Sequence, residues 1–151
     1  MVDFNLFSEN IFKEFSMKTI TAFVSMILAI SFLSACTLES VTPANPGCRY
    51  TSQSFAHVEP RHCNPGTYPG KSKFAQATGY CNGLAGGQGL CETVQVAPDR
   101  RTIQPDGRIC YDKDMGAAIG TRGETWARVV IDPNSGVVVT QFPENAAGCR
   151  Q

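Results

Sequence analysis

This 151-residue sequence has seven cysteines but no Cys-x-x-Cys, so zinc-ribbon and thioredoxin-like chemistry lose the spacing they depend on. It has no Gly-x-Ser-x-Gly elbow to seat a hydrolase nucleophile. It has neither Gly-x-Gly-x-x-Gly nor a Walker box. The stretch Gly83-Leu84-Ala85-Gly86-Gly87-Gln88-Gly89 has the wrong order and no following lysine, so it reads as a flexible, cysteine-bounded loop rather than a phosphate cradle. Basic and acidic residues balance at 13 each, and no run of Lys or Arg forms a local patch. Arg100-Arg101 is an isolated pair that suits a solvated turn. Nucleic-acid binding therefore has no electrostatic footprint. A spanning hydrophobic run is missing too. The apolar stretch Ile20 to Leu33 has 14 residues, whereas a transmembrane helix needs about 20.

That short stretch has another use. Met17-Lys18, then Ile20 to Leu33, then small residues make the three parts of a secretory signal. Ordinary cleavage after Ala35 would want a small residue two positions earlier, where the bulky Leu33 stands. Leu33-Ser34-Ala35-Cys36 instead resembles the lipobox of bacterial lipoproteins, a likeness confined to residues 17 to 36. The resemblance implies a removable signal helix over 17–35, diacylglyceryl transfer to the Cys36 sulfur, cleavage before Cys36 and acylation of the freed amine. Two or three acyl chains hold a protein on a bilayer where a single chain binds only marginally. Thr37 stands where the family places an inner-membrane retention aspartate, so the resemblance implies a lipid-anchored envelope protein of the outer membrane, on either face.

Residues 1–16 carry a net charge of −1, against the basic start of an export signal. They read as a gene-model or disordered extension ahead of a start at Met17, with a long signal n-region as the alternative. Residues 36–47 read as a lipidated tether, because Thr37 to Gly47 has two prolines, a terminal glycine and little periodicity. Its eleven residues reach at most about 35–40 Å.

Residues 48–151 are expected to form one disulfide-stabilised, β-rich domain. From Cys36 onward there are 11 basic and 10 acidic residues. Setting Cys36 aside leaves Cys48, Cys63, Cys81, Cys91, Cys110 and Cys149, an even number that reads as three disulfides in an exported chain. Each typically contributes about 2–4 kcal/mol. Fifteen pairings are possible, and locality favours Cys81–Cys91, the closest two in sequence.

The fold class follows from alternation and turns. Arg49 to Val58, Glu92 to Val96, Arg101 to Gln104 and Arg108 to Tyr111 read as strands, the last two joined by Pro105-Asp106-Gly107. Pro60, Pro65-Gly66 and Pro69-Gly70 oppose a long helix between Cys48 and Lys73. Trp126 to Ile131 and Val137 to Phe142 are the clearest pair, a hairpin across Asp132-Pro133-Asn134-Ser135-Gly136 in which Pro143 ends the second strand. Ala127, Val129 and Ile131 should face the core and Arg128 the surface. Trp126 reads as a core anchor of the hairpin or, alternatively, as a projecting binding residue. The whole is expected to be mainly β, a small antiparallel sheet or a sandwich- or barrel-like domain.

Candidate chemistry is sparse. His57, Glu59, His62 and Cys63 are the one cluster of metal-ligand types, but Pro60 intervenes and the histidine spacing is not that of a zinc helix. They read as loop residues, with no metal and no cofactor. Asp112, Asp114 and Glu124 can supply a carboxylate pair, although Asp-Lys-Asp is common in solvated loops. The functional expectation is a membrane-anchored binding or structural lipoprotein with an envelope protein or glycan as partner. The alternative is a small envelope hydrolase using His57 or His62 as general base.

Overall fold

The hairpin is the centre of the molecule. In the computed structural model, which describes residues 44–149, β3 (Trp126–Ile131) pairs antiparallel with β4 (Val138–Glu144) across the expected turn. Two earlier strands, β1 (Arg100–Ile103) and β2 (Ile109–Asp114), extend the sheet in the order β1-β2-β3-β4, every pair antiparallel. The domain is mainly β and small, with two short helices. Residues 1–43, which include the expected signal segment, Cys36 and most of the expected tether, lie outside the described residues. Among those described, no helix is long and apolar enough to cross a membrane.

The sheet divides into two faces by side-chain alternation. Ala127, Val129 and Ile131 are fully buried on one face, beside Ile109, Tyr111 and Val138. Leu90, Cys91 and Val94 join the same core from a helix, α2 (Gly83–Val96), and Val58 joins it from α1 (Ser52–Val58). On the opposite face Cys110 and Val130 are covered by Cys149. Trp126 is half-buried at the start of β3 and is not among the core residues. Arg128, expected at the surface, is largely covered: its side chain is 11 % exposed because it pairs with a buried carboxylate.

Several expectations fail, for physical reasons. Arg49 to Val58 is a helix beyond Thr51, because Thr51 and Ser54 form a reciprocal capping box that satisfies its free amides. Pro60 does not stop the chain turning. Glu59–Cys63 continues as a π-helical turn with proline at its second position, where the change from α to π register already interrupts the i→i−4 ladder. The glycine-rich loop and the Glu92–Val96 strand are both part of α2. Its buried positions Gly87, Leu90, Cys91, Val94 and Gln95 follow a helical period, and a five-residue alternation was too short to separate that period from a strand. Gly87 sits there because the Tyr50 ring occupies the space a Cβ would need. Arg100-Arg101 begins β1 rather than forming a turn, with the Arg101 guanidinium 5.8 Å from the Tyr111 ring centroid. Pro143 lies inside β4. β4 is an edge strand, and an edge position tolerates a residue that cannot donate.

The three disulfides are present with a different pairing. Cys63 joins Cys81, Cys48 joins Cys91, and Cys110 joins Cys149. Cys81 and Cys91 do not meet because Cys91 lies more than two turns into α2, which starts at Gly83, and is fully buried in the core. Each pairing ties a segment without a strand of its own to a regular element. Cys48 fixes the N-terminal arm to α2, Cys63 and Cys81 close the irregular 64–80 segment, and Cys149 holds the tail on β2.

Candidate functional site

The 64–73 segment builds one wall of a groove on the face of the sheet away from α2. Lys73 is 6 % exposed, and its ammonium donates to the carbonyls of Arg61 (2.5 Å) and Thr67 (2.6 Å). It is an internal clamp, and among the described residues its charge meets no carboxylate within ion-pair distance. Arg61 donates to the His57 carbonyl at 3.1 Å, and its guanidinium lies 4.8 Å from the Tyr68 ring centroid. Arg122, from the loop before β3, donates to the carbonyls of Pro69 (3.2 Å) and Lys71 (3.4 Å). These bonds hold cationic groups along the wall without neutralising them.

The groove has a volume of about 690 Å³, and its cationic lining is Arg61, Lys71, Arg108, Arg122 and Arg128. Its carboxylates are Asp106, Glu124 and Glu144. Asp106 pairs with Arg108 at 3.4 Å, and Glu144 pairs with Arg128 at 3.4 Å. Glu124 is 3 % exposed and accepts the Arg122 backbone N–H at 2.9 Å. Among the described residues, Arg61, Lys71 and Arg122 form no ion pair. The groove therefore carries a surplus of positive charge although the whole chain is neutral. Five separated segments supply that surplus, from position 61 to position 128, so a search for runs of Lys and Arg had no signal to find.

Both histidines line the groove. They sit in the helical stretch rather than on a loop, and His62 is buried. The His62 ring stacks on Phe142 with centroids 5.0 Å apart, and Nδ1 lies 2.8 Å from the Ser72 carbonyl. A carbonyl only accepts, so Nδ1 carries the proton and Nε2 keeps its lone pair. Burial, reinforced by the nearby Lys73 and Lys71 charges, lowers the pKa to about 4 against the bond to Ser72. The ring is neutral at physiological pH. His57 is also lowered, first by burial and then by Arg61 and Arg108.

The depressed His62 value predicts a pH effect on stability. The unfolded chain binds a proton near pH 6.5, while the folded ring resists it until about pH 4. Stability from this group is complete above pH 6.5 and falls as pH drops through that window. Between pH 7.5 and 5 the loss is about 2 kcal/mol. Denaturant melts of wild type and His62→Phe across this range should show the wild type losing that increment and the variant lacking it. Parallel curves would contradict the assignment.

The remaining candidates do not assemble. Asp112 is fully buried against Arg128 on the sheet, Asp114 is exposed and caps the Gly116 amide, and Glu124 alone of the three lines the groove. Cys110, Asp112 and Cys149 place ligand-type atoms within 4.8 Å of one another. The two sulfurs are joined as a disulfide, so neither is a thiolate donor. Ser54, buried, donates to the Val138 carbonyl at 2.6 Å and serves the fold. Comparison of the chain with protein-family models, curated proteins and solved structures finds no match.

Proposed function

We propose that this protein is a lipid-anchored lipoprotein of the bacterial envelope whose domain is a binding module, with the groove between the 64–73 segment and the sheet as its ligand site. The observation that carries the binding reading is the set of cations Arg61, Lys71 and Arg122, unneutralised among the described residues and with both guanidiniums held by carbonyls, beside a neutral imidazole. The anchor reading is carried by Leu33-Ser34-Ala35-Cys36 behind a short apolar stretch, and the outer membrane is the location it suggests through Thr37. Three disulfides suit an oxidising compartment.

The hydrolase reading has one feature in its favour, the His62 Nε2 lone pair in the same groove as Glu124. A general base needs an orienting partner and a nucleophile within hydrogen-bond reach. Among the described residues, neither histidine ring is bonded to a carboxylate or a hydroxyl, and binding is the reading the geometry supports better.

Metabolic labelling with a palmitate analogue tests the anchor. Wild type should incorporate label and Cys36→Ala should lose it entirely. Equal labelling of the two proteins would remove the lipoprotein reading.

A further inference from the structure

The groove is polar, mixed in charge and open along one side, and its volume of about 690 Å³ leaves room for a ligand much larger than a single ion. Its positive groups come from four separate segments of the chain. Arg61 comes from the end of the helical stretch, Lys71 from the loop, Arg108 from the β1–β2 turn and Arg122 from the loop before β3. Between them lie neutral hydrogen-bonding groups, Ser72, Gln104, Thr140 and Asn145. The carboxylates in the same lining accept from hydroxyl groups but repel a densely anionic chain. Phe142 stacks on the His62 ring and lies 5.6 Å from the Arg128 guanidinium, which fixes the floor of the groove. A concave site that offers unpaired cations, carboxylates and neutral hydrogen-bonding groups together fits a hydroxyl-rich ligand of moderate negative charge.

We infer that the groove binds a carboxylate-bearing oligosaccharide, with Lys71, Arg61 and Arg122 contacting its carboxylates and the neutral groups contacting its hydroxyls. This rests on the binding reading and names its ligand. Charge-assisted contacts from the guanidinium and ammonium groups carry the selectivity. Their exposure makes the affinity fall with salt.

Isothermal titration of the full-length protein in neutral detergent tests the inference, with tetragalacturonate as probe and its fully methylated ester as neutral control. The expected result is binding of the acid at least tenfold tighter than the ester, weakened by added salt. Lys71 is exposed and the fold does not depend on its ammonium, so Lys71→Gln can be used without risk to folding. It should weaken the acid several-fold and leave the ester unchanged. Lys71→Gln combined with Arg122→Gln should weaken the acid at least tenfold, with a circular dichroism spectrum matching wild type. Equal affinity for acid and ester, or for wild type and the double variant, would overturn the inference. So would displacement of the acid by inorganic phosphate or glycerol 3-phosphate at or below its own concentration, which would assign the groove to phosphate groups. Any of these failures leaves the anchored reading standing if Cys36→Ala still abolishes labelling.

Discussion

Arg128→Met is expected to destabilise the domain by about 3–5 kcal/mol, the cost of stranding a buried charge. Arg128 Nε donates to Asp112 Oδ1 at 2.7 Å, and Asp112 is completely buried between β2 and β3, where it faces Arg128 across the ladder. Its other oxygen accepts the Gly148 amide at 2.9 Å, which holds the tail ahead of Cys149. Methionine keeps the apolar stem and its packing against Phe142, but it removes the one cation bonded to Asp112 among the described residues. A domain of this size has a total stability of roughly 5–15 kcal/mol, so the loss is a large part of the whole. Asp112→Asn in the same chain should recover most of it, because the amide oxygen can still accept from Gly148 and no charge is left unpaired. Guanidinium melts of the oxidised protein measure both. An Arg128→Met variant within about 1 kcal/mol of wild type would mean the pair behaves as an exposed one and the burial assigned to it is wrong.

Gly136→Val should cost at least about 3 kcal/mol, the sum of two separate penalties. Gly136 closes the β3–β4 hairpin with φ at +68°, a conformation that a β-branched residue resists. A Cβ there would also stand 2.5 Å from the Pro46 carbonyl oxygen. That neighbour is backbone and cannot swing aside. It belongs to the N-terminal arm, where Arg49 N–H donates to the Gly136 carbonyl at 2.8 Å and the arm bridges to Val137. The substitution therefore strains the turn and pushes the arm off the sheet at the same time. A melting temperature lowered by 10 °C or more is expected by calorimetry, given that about 1 kcal/mol shifts a domain this size by roughly 4 °C. Gly136→Ala should fall between the two proteins. A Gly136→Ala loss no larger than the roughly 1–2 kcal/mol of the left-handed backbone alone would mean that contact with Pro46 plays no part.

The two halves of the domain were unequally legible. In the second half, the alternation of Ala127, Val129 and Ile131 and the turn chemistry of Asp132 to Gly136 and of Pro105 to Gly107 specified strands and their partners. These are local properties: a period of two and a proline or glycine at a turn act over five or six residues. They held when the tertiary structure formed around them. In the first half the local signals misled. Prolines suggested irregular chain where Glu59–Cys63 keeps turning, and glycines suggested a loose loop where α2 runs. Gly87 is there for lack of bulk, because Tyr50 packs into the place of a side chain. Composition cannot distinguish that use of glycine from flexibility.

The number of disulfides was determined by the sequence, since six cysteines remain after Cys36 and an oxidised compartment pairs an even set. Their partners were not. Cys81 and Cys91 are ten residues apart in sequence, but α2 carries Cys91 away from Cys81 and into contact with Cys48. The candidate export segment was legible without any fold, because a signal and its cysteine are read as a linear stretch. The groove was decided by tertiary structure alone. Arg61, Lys71, Arg122 and Arg128 belong to segments that only the clamp of Lys73, the Cys63–Cys81 bond and the pairing of β3 with its neighbours bring to one face. Net charge is a sum over the chain, while a binding surface depends on which charges the fold leaves side by side and unpaired.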